Sequence, residues 1–297
     1  ARDAVKVGET VLQFSRAAIC TGARAAVPTI PGLKEAGYLT NETVFSLTTL
    51  PRRLVVIGAG PIGCELAQAF ARFGSDVTLI EQTSCILPRE DTDAAMMVQT
   101  RMAHDGVSFA FKAIVHNITS DSGLKRVHYS VAGEKRELLV DEILVSVGRV
   151  PNVEGLGLDT AGVAYKKAGI TVDPNLRTTN KQIYAAGDIC FPFKFTHTAD
   201  AMAQIVIQNA LFPHPFGLGL ASTESLIIPW CTFTEPEIAH VGMYKNDAQA
   251  KGFDVETFTQ TLDEVDRAVL DGEDDGFAKV HVKRGTDKIL GATIVAA

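Results

Sequence analysis

The sequence predicts an α/β protein whose central parallel sheet alternates with helices and whose C-terminal region is a smaller, mainly antiparallel α+β unit. Three observations support this prediction. The run RLVVI at residues 53–57 is continuously apolar and β-branched, as a buried parallel strand is. A helical pattern and a second apolar run, DVTLIE, follow it. From about residue 227, segments such as FAKVHVKRG and KILGATIVAA alternate between polar and apolar residues, as antiparallel strands do.

Composition and charge disfavour several classes of function. Of the 297 residues, 46% are hydrophobic and 21% are charged, which is the ordinary balance of a globular protein of about two domains. The formal net charge is −7, so neither nucleic acid nor an anionic membrane is a favoured partner. The longest apolar runs are strand-sized and fall well short of the roughly 20 residues of a membrane-spanning helix. The sequence therefore predicts no transmembrane segment.

The cysteines are scattered along the chain and predict neither a metal site nor a disulfide framework. No two of them form a C-x-x-C pair or the spacing of a metal knuckle. An odd number of dispersed cysteines in a chain of this length favours reduced thiols, and hence an intracellular protein, cytoplasmic or organellar. Each is expected to be a small apolar filler. The five are Cys20, Cys64, Cys85, Cys190 and Cys231.

A dinucleotide-binding motif opens the first predicted helix. Gly58, Gly60 and Gly63 fit G-x-G-x-x-G directly after RLVVI. The first glycine allows the tight turn, the second lets a pyrophosphate approach the backbone, and the third lets the helix pack against the strand. The N–H groups at the helix N-terminus form an anion site, and Pro61 is tolerated there. The predicted nucleotide-binding residues of this turn are Gly58, Gly60, Pro61, Ile62 and Gly63.

The helix after the turn, IGCELAQAFARF, completes a Rossmann-like unit with the strand DVTLIE. Its pattern places four apolar residues on one face, and Gly74 suits the position just after the helix. The four are Leu66, Ala69, Phe70 and Phe73.

An acidic residue ends the second strand and bears on the choice of nucleotide. Glu81 lies 23 residues after Gly58, where a carboxylate is placed to bind a ribose 2′-hydroxyl. The same carboxylate repels a 2′-phosphate, and no arginine follows it before Arg89. The sequence therefore predicts binding of NAD(H) in preference to NADP(H).

The other elements are predicted in chain order. Residues 1–20 form two short strands with a turn at Gly8-Glu9, and residues 21–32 form a Gly/Pro loop. After the Rossmann-like unit come a helix, a strand and an exposed antiparallel meander, in the segments DTDAAMMVQTRMAHDG, VSFAFK and GLKRVHYSVAGEKRELLV. The strand DEILVSVG follows.

Two further strands and a helix precede the C-terminal sheet. The segment GITVDPNLRTTNKQIYAAGDIC predicts a strand, a turn and an apolar strand that ends in Gly187-Asp188. A helix is expected in HTADAMAQIVIQNALF, and a boundary near the Pro/Gly-rich FPHPFGLGLAS. A polar helix is expected near YKNDAQAKG, within the C-terminal region.

These segments, in this order, resemble the class I pyridine nucleotide–disulfide oxidoreductases, over essentially the whole chain. This is the family of dihydrolipoamide dehydrogenase, glutathione reductase and mercuric reductase. The resemblance is greatest to the mercuric-reductase-like branch, through IPWCTFTEPEIAHVG, FTHTADAM and GYLTNETVFSL. It implies a Rossmann-like NAD domain inserted in a partial FAD-binding domain, followed by a partial α+β dimerisation domain. The implied boundaries are 1–50 for the partial FAD domain with a connector, 51–152 for the NAD(P) domain, 153–226 for the resumed FAD domain and 227–297 for the dimerisation domain.

The resemblance also implies a set of flavin-binding residues. CTGAR is similar to the family's ATG loop, with Cys20 in place of the usual alanine, and TTNKQIYAAGD is similar to the motif whose Asp binds the ribityl chain. FKFTHTADAM, from Lys194 onward, matches the loop and helix N-terminus that face the flavin, where positive potential stabilises the anionic reduced flavin. The implied FAD-binding residues are Thr21, Gly22, Arg149, Gly187, Asp188, Phe195, Thr196 and His197.

Three further positions around the NAD domain follow from the resemblance. Glu65 matches the family's glutamate near the flavin N5, which pairs with a lysine that would precede residue 1. Gly148 lies in the loop VGRVPN between the two cofactors, and Val115 matches a position that contacts adenine.

Three motifs of the family do not occur in the 297 residues. They are the N-terminal G-x-G-x-x-G for FAD, the redox pair C-x-x-x-x-C and the C-terminal His-Glu acid–base pair. We therefore expect the chain to be a piece of a longer enzyme that is a homodimer when complete.

Two hypotheses of different class remain open at this point, with a weaker third. The first is an FAD-dependent oxidoreductase that takes hydride from NADH and passes electrons to a dithiol/disulfide or a metal-ion acceptor, with the redox cysteines outside this chain. The second is a non-catalytic nucleotide-binding or scaffold subunit of a larger assembly. The third is an NADH oxidase or diaphorase that bypasses thiols. Flavin absorbance of the purified protein would favour the first and third.

Overall fold

The computed structural model describes residues 3–297, and its strands are defined here in chain order. They are β1 (Ala4–Val7), β2 (Thr10–Gln13), β3 (Ala17–Ile19), β4 (Ala23–Ala25), β5 (Arg53–Ile57), β6 (Asp76–Ile80), β7 (Val107–Ala110), β8 (Ala113–Asp121), β9 (Leu124–Val131), β10 (Glu134–Val140), β11 (Glu142–Val145), β12 (Arg149–Pro151), β13 (Tyr165–Lys166), β14 (Gly169–Ile170), β15 (Ile183–Ala185), β16 (Trp230–Thr232), β17 (Glu237–Gly242), β18 (Val255–Thr261), β19 (Phe277–Lys283) and β20 (Ile289–Ala296).

The helices of the described residues vary from single turns to about four turns. They are α1 (Leu33–Ala36), α2 (Pro61–Arg72), α3 (Thr92–His104), α4 (Leu158–Ala161), α5 (Thr196–Leu211), α6 (Lys245–Ala250) and α7 (Asp266–Asp271). None of the helices within residues 3–297 is long and apolar enough to span a membrane.

The chain divides into two compact units. The first unit joins the residues up to Arg24 with Arg149–Ile228, and the second unit joins Ala25–Gly148 with Pro229–Ala297. Residues 25–50 belong to the second unit because Leu33 and Val44 are buried in the same hydrophobic clusters as its parallel sheet. The implied domain of residues 1–50 is divided between the two units, and the four domains implied by the sequence stay a prediction.

A four-stranded parallel sheet is the centre of the second unit. Its strand order is β11-β5-β6-β7, with α2 between β5 and β6 and α3 between β6 and β7. Leu54 of β5 pairs with Val77 of β6, and Val55 pairs with Ile143 of β11. All the side chains of β5 after Arg53 are buried, as a central parallel strand covered on both faces requires. The predicted strand–helix–strand unit is confirmed, and the meander β8–β9–β10 follows as expected.

The helix α2 buries a different face from the four apolar residues that the sequence pattern grouped together. Cys64, Ala67 and Ala71 are buried against the sheet, whereas Phe70 is half-buried and Phe73 is 70% exposed. Small side chains on the inner face let the helix approach the sheet closely, so the bulky residues lie at its margins. The amphipathic pattern of the sequence alone did not indicate which face of α2 is buried.

The C-terminal part of the second unit is a five-stranded antiparallel sheet in the order β16-β17-β20-β19-β18. The predicted antiparallel sheet and its polar helix, α6, are confirmed. The short helix α7, between β18 and β19, was not predicted. Ile238, Phe277 and Val295 of this sheet are buried in one hydrophobic cluster with Leu54 and Val56 of the parallel sheet.

The first unit contains the hairpin β1–β2, a parallel pair of β3 and β15, and the helix α5. Gly8 has a φ of 59° at the predicted hairpin turn. The parallel pair aligns Ile19 with Ala185, so the chain leaves both strands at the same edge. Tyr184 of β15 packs in one buried cluster with Met202 of α5. This arrangement places the segment after β3, the segment after β15 and the start of α5 as neighbours.

Candidate functional site

The glycine turn, residues 58–63, follows the end of β5 in the second unit. Gly58 has a φ of 105°, and a Cβ at this position would lie 2.7 Å from the Ser146 carbonyl oxygen. A Cβ at Gly63 would lie 2.0 Å from the Gly58 carbonyl oxygen. A Cβ at Gly60, in contrast, would have no heavy atom of the described residues within 4 Å. Two glycines are therefore required by the fold itself, whereas Gly60 borders open space that a ligand can occupy.

Two peptide groups of the turn are held by hydrogen bonds. The Gly58 carbonyl accepts from Ser146 Oγ at 2.8 Å, and the Ala59 N–H donates to Glu81 Oε2 at 2.8 Å. The Ala59 carbonyl accepts from the Leu87 N–H at 2.8 Å. Leu87 has a φ of 47° and is 1% exposed, which is an unfavourable backbone conformation held by its surroundings. The turn is thus shaped by side chains and a neighbouring loop as well as by its own glycines.

The start of α2 is suited to an anion. Gly60 is the N-cap in an extended conformation, and no side chain of the described residues caps it. Pro61 is the first helical residue, and Ile62 behind it is half-buried. The uncapped N–H groups and the helix dipole favour negative charge at this end. With the open space at Gly60, these donors fit the pyrophosphate of a dinucleotide.

Glu81 lies beside the glycine turn, directly after β6. Besides the Ala59 N–H on Oε2, its Oε1 accepts from the Thr83 N–H at 2.8 Å. These two bonds fix the carboxylate in place next to the turn. Gly148 follows β11 with a φ of 112°, and no described heavy atom lies within 4 Å of the Cβ it lacks. Val115 lies on β8 and packs, half-buried, against the core of the parallel sheet.

Glu65 is in the first turns of α2 and faces the C-terminal part of the second unit. Its Oε1 accepts from the Phe233 N–H at 2.9 Å. Burial raises the pKa of this carboxyl group, while the bond from Phe233 lowers it by a smaller amount. The structure thus gives Glu65 a backbone partner, and its flavin-proximal role stays a prediction.

The predicted flavin residues come together in the first unit. Thr21 Oγ1 donates to the Asn152 carbonyl at 3.0 Å, and Asn152 returns a bond from Nδ2 to the Thr21 carbonyl at 2.9 Å. The Asn152 N–H donates to the carbonyl of Gly22, whose φ is 66°. These bonds fix the loop after β3. Gly187 has a φ of 80°, and a Cβ there would lie 3.3 Å from Ala199 Cβ in α5.

The Arg149–Asp188 site, formed by Arg149, Asp188 and Thr198, contains two buried polar atoms without hydrogen-bond partners among the described residues. Arg149 Nη2 donates to the Ala23 carbonyl at 2.6 Å, and its Nε lies 3.2 Å from Asp188 Oδ2. That ion pair lacks hydrogen-bond geometry, so Arg149 Nε has no hydrogen-bond partner among the described residues. Thr198 Oγ1, in the first turn of α5, likewise has none and is 1% exposed. Buried donors of this kind fit a polyhydroxylated ligand such as the ribityl chain of FAD.

An aromatic series leads into α5. Phe195 is its N-cap residue, and Thr196 is the first helical residue. The rings of Phe195 and His197 are stacked, with centroids 5.4 Å apart and planes 8° apart. Lys194 Nζ donates to the carbonyls of Asp188 at 3.0 Å and Phe191 at 3.2 Å. A lysine and a helix N-terminus therefore bring positive potential to the edge of the Arg149–Asp188 site.

The residues predicted to bind NAD and those predicted to bind FAD lie in different units. Every residue predicted for NAD lies in the second unit, together with Glu65, and every residue predicted for FAD lies in the first. Among residues 3–297, no three His, Cys, Asp or Glu side chains are grouped as metal ligands.

Sequence reasoning missed Ser146, Leu87, Asn152 and Thr198. The signal for Ser146 was available, because it directly follows a parallel strand, where ligand-binding residues of α/β sheets gather. A leucine with positive φ has no sequence signal.

Three of the five cysteines are thiols whose pKa is raised by burial. Burial, followed by the nearby Cys20 thiol, raises the pKa of the Cys190 thiol to about 12. Burial, followed by the Glu237 carboxylate, raises the pKa of Cys231 to about 11, and burial also raises the pKa of Cys64. These three thiols are protonated at neutral pH and are poor nucleophiles. All five cysteines are free.

A comparison with protein families decides the assignment. The family model described as "Pyridine nucleotide-disulphide oxidoreductase" matches residues 1–204, and the dimerisation-domain model of the same family matches residues 228–297. The chain belongs to this family. The resemblance inferred from the sequence motifs is therefore confirmed. Members of the pyridine nucleotide-disulphide oxidoreductase family use FAD together with NAD(P)H.

Individual relatives agree with the family assignment. The chain is 35% identical over 294 residues to mercuric reductase from Bacillus cereus, covering 98% of this chain and 46% of that protein. It is 30% identical over 283 residues to dihydrolipoyl dehydrogenase from Bacillus subtilis, covering 93% of this chain and 58% of that protein. The chain thus spans about half the length of the curated relatives it matches.

A solved structure shows the same fold. The HOCl-induced flavoprotein disulfide reductase RclA from Escherichia coli superposes with a TM-score of 0.89 at 31% identity, covering 100% of this chain and 67% of that one. The predicted α/β fold class is therefore confirmed.

Proposed function

We propose that this chain forms part of an FAD-dependent NAD(P)H oxidoreductase of the disulfide-reductase type. The observation that carries the proposal is the division of the two predicted sites. The second unit holds the glycine turn with open space at Gly60. The first unit holds the Arg149–Asp188 site, whose donors Arg149 Nε and Thr198 Oγ1 lack hydrogen-bond partners among the described residues. Bound FAD would supply the two-electron chemistry that links NADH, as hydride donor, to a disulfide or metal-ion acceptor.

Each site has its own part in this proposal. The N-terminus of α2 binds and orients the pyrophosphate of the nucleotide, and Glu81 binds its ribose. In the first unit, Asp188 and Arg149 bind the ribityl and adjoining groups of the flavin, while the start of α5 brings positive potential towards the ring. The acceptor is proposed by analogy with relatives called mercuric reductase and disulfide reductase. The match of residues 228–297 to the dimerisation domain supports a homodimer.

Reduction of flavin by NADH tests the proposal. The purified protein is supplied with FAD, separated from free cofactor, and titrated anaerobically with NADH while the visible absorbance is followed. Retained flavin whose absorbance NADH bleaches is the expected result. A protein that binds NADH but retains no flavin would instead support a nucleotide-binding scaffold subunit.

The preference for NADH over NADPH rests on Glu81. Backbone N–H donors hold both carboxylate oxygens, so this negative charge cannot move away from an incoming 2′-phosphate. We expect wild-type protein to bind NADH more tightly than NADPH, and Glu81→Gln, which keeps an acceptor oxygen, to narrow the ratio of the two dissociation constants. The exposed neighbour Gln82→Ala is the control and should leave the ratio unchanged. Equal affinities in the wild type would refute the role of the carboxylate.

A further inference from the structure

Ser146 joins the end of β11 to the glycine turn. Its N–H donates to the Ile57 carbonyl at 2.9 Å, which continues the parallel pairing of β11 with β5 by one residue. Its Oγ donates to the Gly58 carbonyl at 2.8 Å, with the Ile57 carbonyl at 3.2 Å as a weaker second acceptor. Its own carbonyl oxygen would lie 2.7 Å from a Cβ at Gly58. Ser146 is therefore in close contact with the first residue of the turn through both backbone and side chain.

The hydroxyl of Ser146 fixes the orientation of one peptide plane. The Gly58 carbonyl and the Ala59 N–H belong to the same peptide, and they point in opposite directions because the peptide is planar and trans. Ser146 Oγ holds the carbonyl end and Glu81 Oε2 holds the N–H end. Without the hydroxyl, the carbonyl end of this peptide would lose its side-chain donor, and the plane could rotate.

The following peptide sets the direction of the Gly60 N–H. The Ala59 carbonyl is held by the Leu87 N–H at 2.8 Å. Because the peptide is planar, the Gly60 N–H points away from Leu87. A Cβ at Gly60 would have no described heavy atom within 4 Å, so the turn borders open space at this residue. The position of this second peptide depends on the first, since the two share the Cα of Ala59.

We propose that Ser146 is a positioning residue for the pyrophosphate of the bound dinucleotide, acting through the Gly58–Ala59 peptide. The inference rests on the proposed binding of NADH at the glycine turn. Ser146 itself does not contact the nucleotide in this arrangement. It keeps the backbone donors of the turn in the orientation that an anion requires, so that little reorganisation accompanies binding.

Ligands that differ in the pyrophosphate test the proposal. Dissociation constants of NADH, ADP-ribose and adenosine are measured by calorimetry or NMR titration for wild type and Ser146→Ala. Loss of one neutral hydrogen bond predicts that NADH and ADP-ribose bind about three- to tenfold more weakly. Adenosine lacks the pyrophosphate, so its dissociation constant should change less than about twofold.

Ser75→Ala is the matched control. Ser75 Oγ also donates to a backbone carbonyl, that of Pro51 at 2.6 Å, and Ser75 is buried near the start of the same sheet. This variant should lose stability yet bind all three ligands as the wild type does. If a destabilised sheet were the cause of weaker binding, Ser75→Ala would weaken it too, and the proposal would be wrong.

A second substitution covers the case in which Ser146→Ala fails to fold. Ser146→Cys has a side chain of similar shape, but its S–H group is a weak donor. This variant should bind NADH with an affinity between those of wild type and Ser146→Ala. Wild-type affinity for NADH in a folded Ser146→Ala or Ser146→Cys variant would overturn the role of Ser146 alone. A wild-type protein that binds neither NADH nor ADP-ribose would overturn the proposed function itself, and this inference with it.

Discussion

The glycine turn of the second unit and the Arg149–Asp188 site of the first unit prepare for a ligand in opposite ways. In the glycine turn, the carbonyls of Gly58 and Ala59 already have partners, and Gly58 and Gly63 have no room for a side chain. In the Arg149–Asp188 site, Arg149 Nε and Thr198 Oγ1 are buried without hydrogen-bond partners among the described residues. One site is shaped by its own packing, and the other carries donors that a ligand would satisfy.

Because of this difference, the two sites should respond differently to substitution. A turn fixed by packing depends on steric fit, so adding a single carbon atom to it disturbs the fold. A site with unpartnered polar atoms has a desolvation cost in the unliganded protein, which a ligand with hydroxyl or carbonyl groups removes. Substitutions that add bulk should therefore be most harmful in the glycine turn, whereas removal of the Thr198 hydroxyl, which has no hydrogen-bond partner among the described residues, should be tolerated in the other site.

The largest effect is expected for Gly63→Ala. The new Cβ would lie 2.0 Å from the Gly58 carbonyl oxygen, and backbone must move to relieve the overlap. We expect the free energy of unfolding to fall by about 2–4 kcal/mol, with loss of NADH binding. Denaturant unfolding and nucleotide titration measure the two effects.

Gly60→Ala is the control for this prediction. The new Cβ would enter open space, so the free energy of unfolding should fall by less than about 1 kcal/mol. NADH should nevertheless bind at least about tenfold more weakly, since the methyl group occupies the path of the pyrophosphate. If Gly60→Ala were as unstable as Gly63→Ala, Gly60 would be required by the fold in the same way as Gly63, and the open space at Gly60 would not be available to a ligand.

The next largest effect tests the ion pair of the other site. Asp188→Asn removes the charge that faces Arg149, whose side chain is 26% exposed. We expect the unfolding free energy to fall by about 1–2 kcal/mol, because the arginine then lies partly buried without a counter-charge. Glu154→Gln makes the same change beside the exposed Arg24 and should cost less stability than Asp188→Asn. Equal losses in the two variants would mean that burial of Arg149 does not matter.

The glycine turn could be predicted from local sequence, whereas the residues of the other site could not, for physical reasons. The glycine turn has a fixed spacing because every glycine in it solves a local backbone problem, so Gly58, Gly60 and Gly63 could be identified without a structure. Asp188 and Thr21 required a family resemblance, because each lies at the end of a short strand and has no local signature. Ser146 and Thr198 depend on contacts between distant segments, which no local pattern records. The inner face of α2 was also missed, because close packing on the sheet selected small residues over large ones.

A smaller effect, of opposite sign, is expected at Thr198. Thr198→Val keeps the shape of the side chain and removes a buried hydroxyl without a partner. The unfolding free energy should stay unchanged or rise by up to about 1 kcal/mol, since no hydrogen bond is lost. Retention of FAD should weaken if this hydroxyl binds the flavin.

Thr178→Val supplies the matched comparison in the same unit. Thr178 is also buried, but its Oγ1 donates to the Asn180 carbonyl at 2.9 Å and accepts from the Asn180 N–H at 3.1 Å. This variant should lose about 1–2 kcal/mol. Destabilisation of Thr198→Val to the same extent would show that its hydroxyl is satisfied within the protein.

The smallest effect concerns Glu65, the carboxylate next to the glycine turn whose pKa is raised by burial. Between its ordinary pKa near 4.5 and the raised value in the folded protein, the native state binds more protons than the unfolded state. Stability therefore falls as pH rises through this interval, and it stays level above it. Glu65→Gln keeps an acceptor for the Phe233 N–H and has no proton to lose, so its unfolding free energy should lack this decline. At neutral pH the variant should be within about 0.5 kcal/mol of the wild type or slightly more stable. Parallel pH profiles of the two proteins would mean that the Glu65 carboxyl group is as well solvated in the folded chain as in the unfolded one.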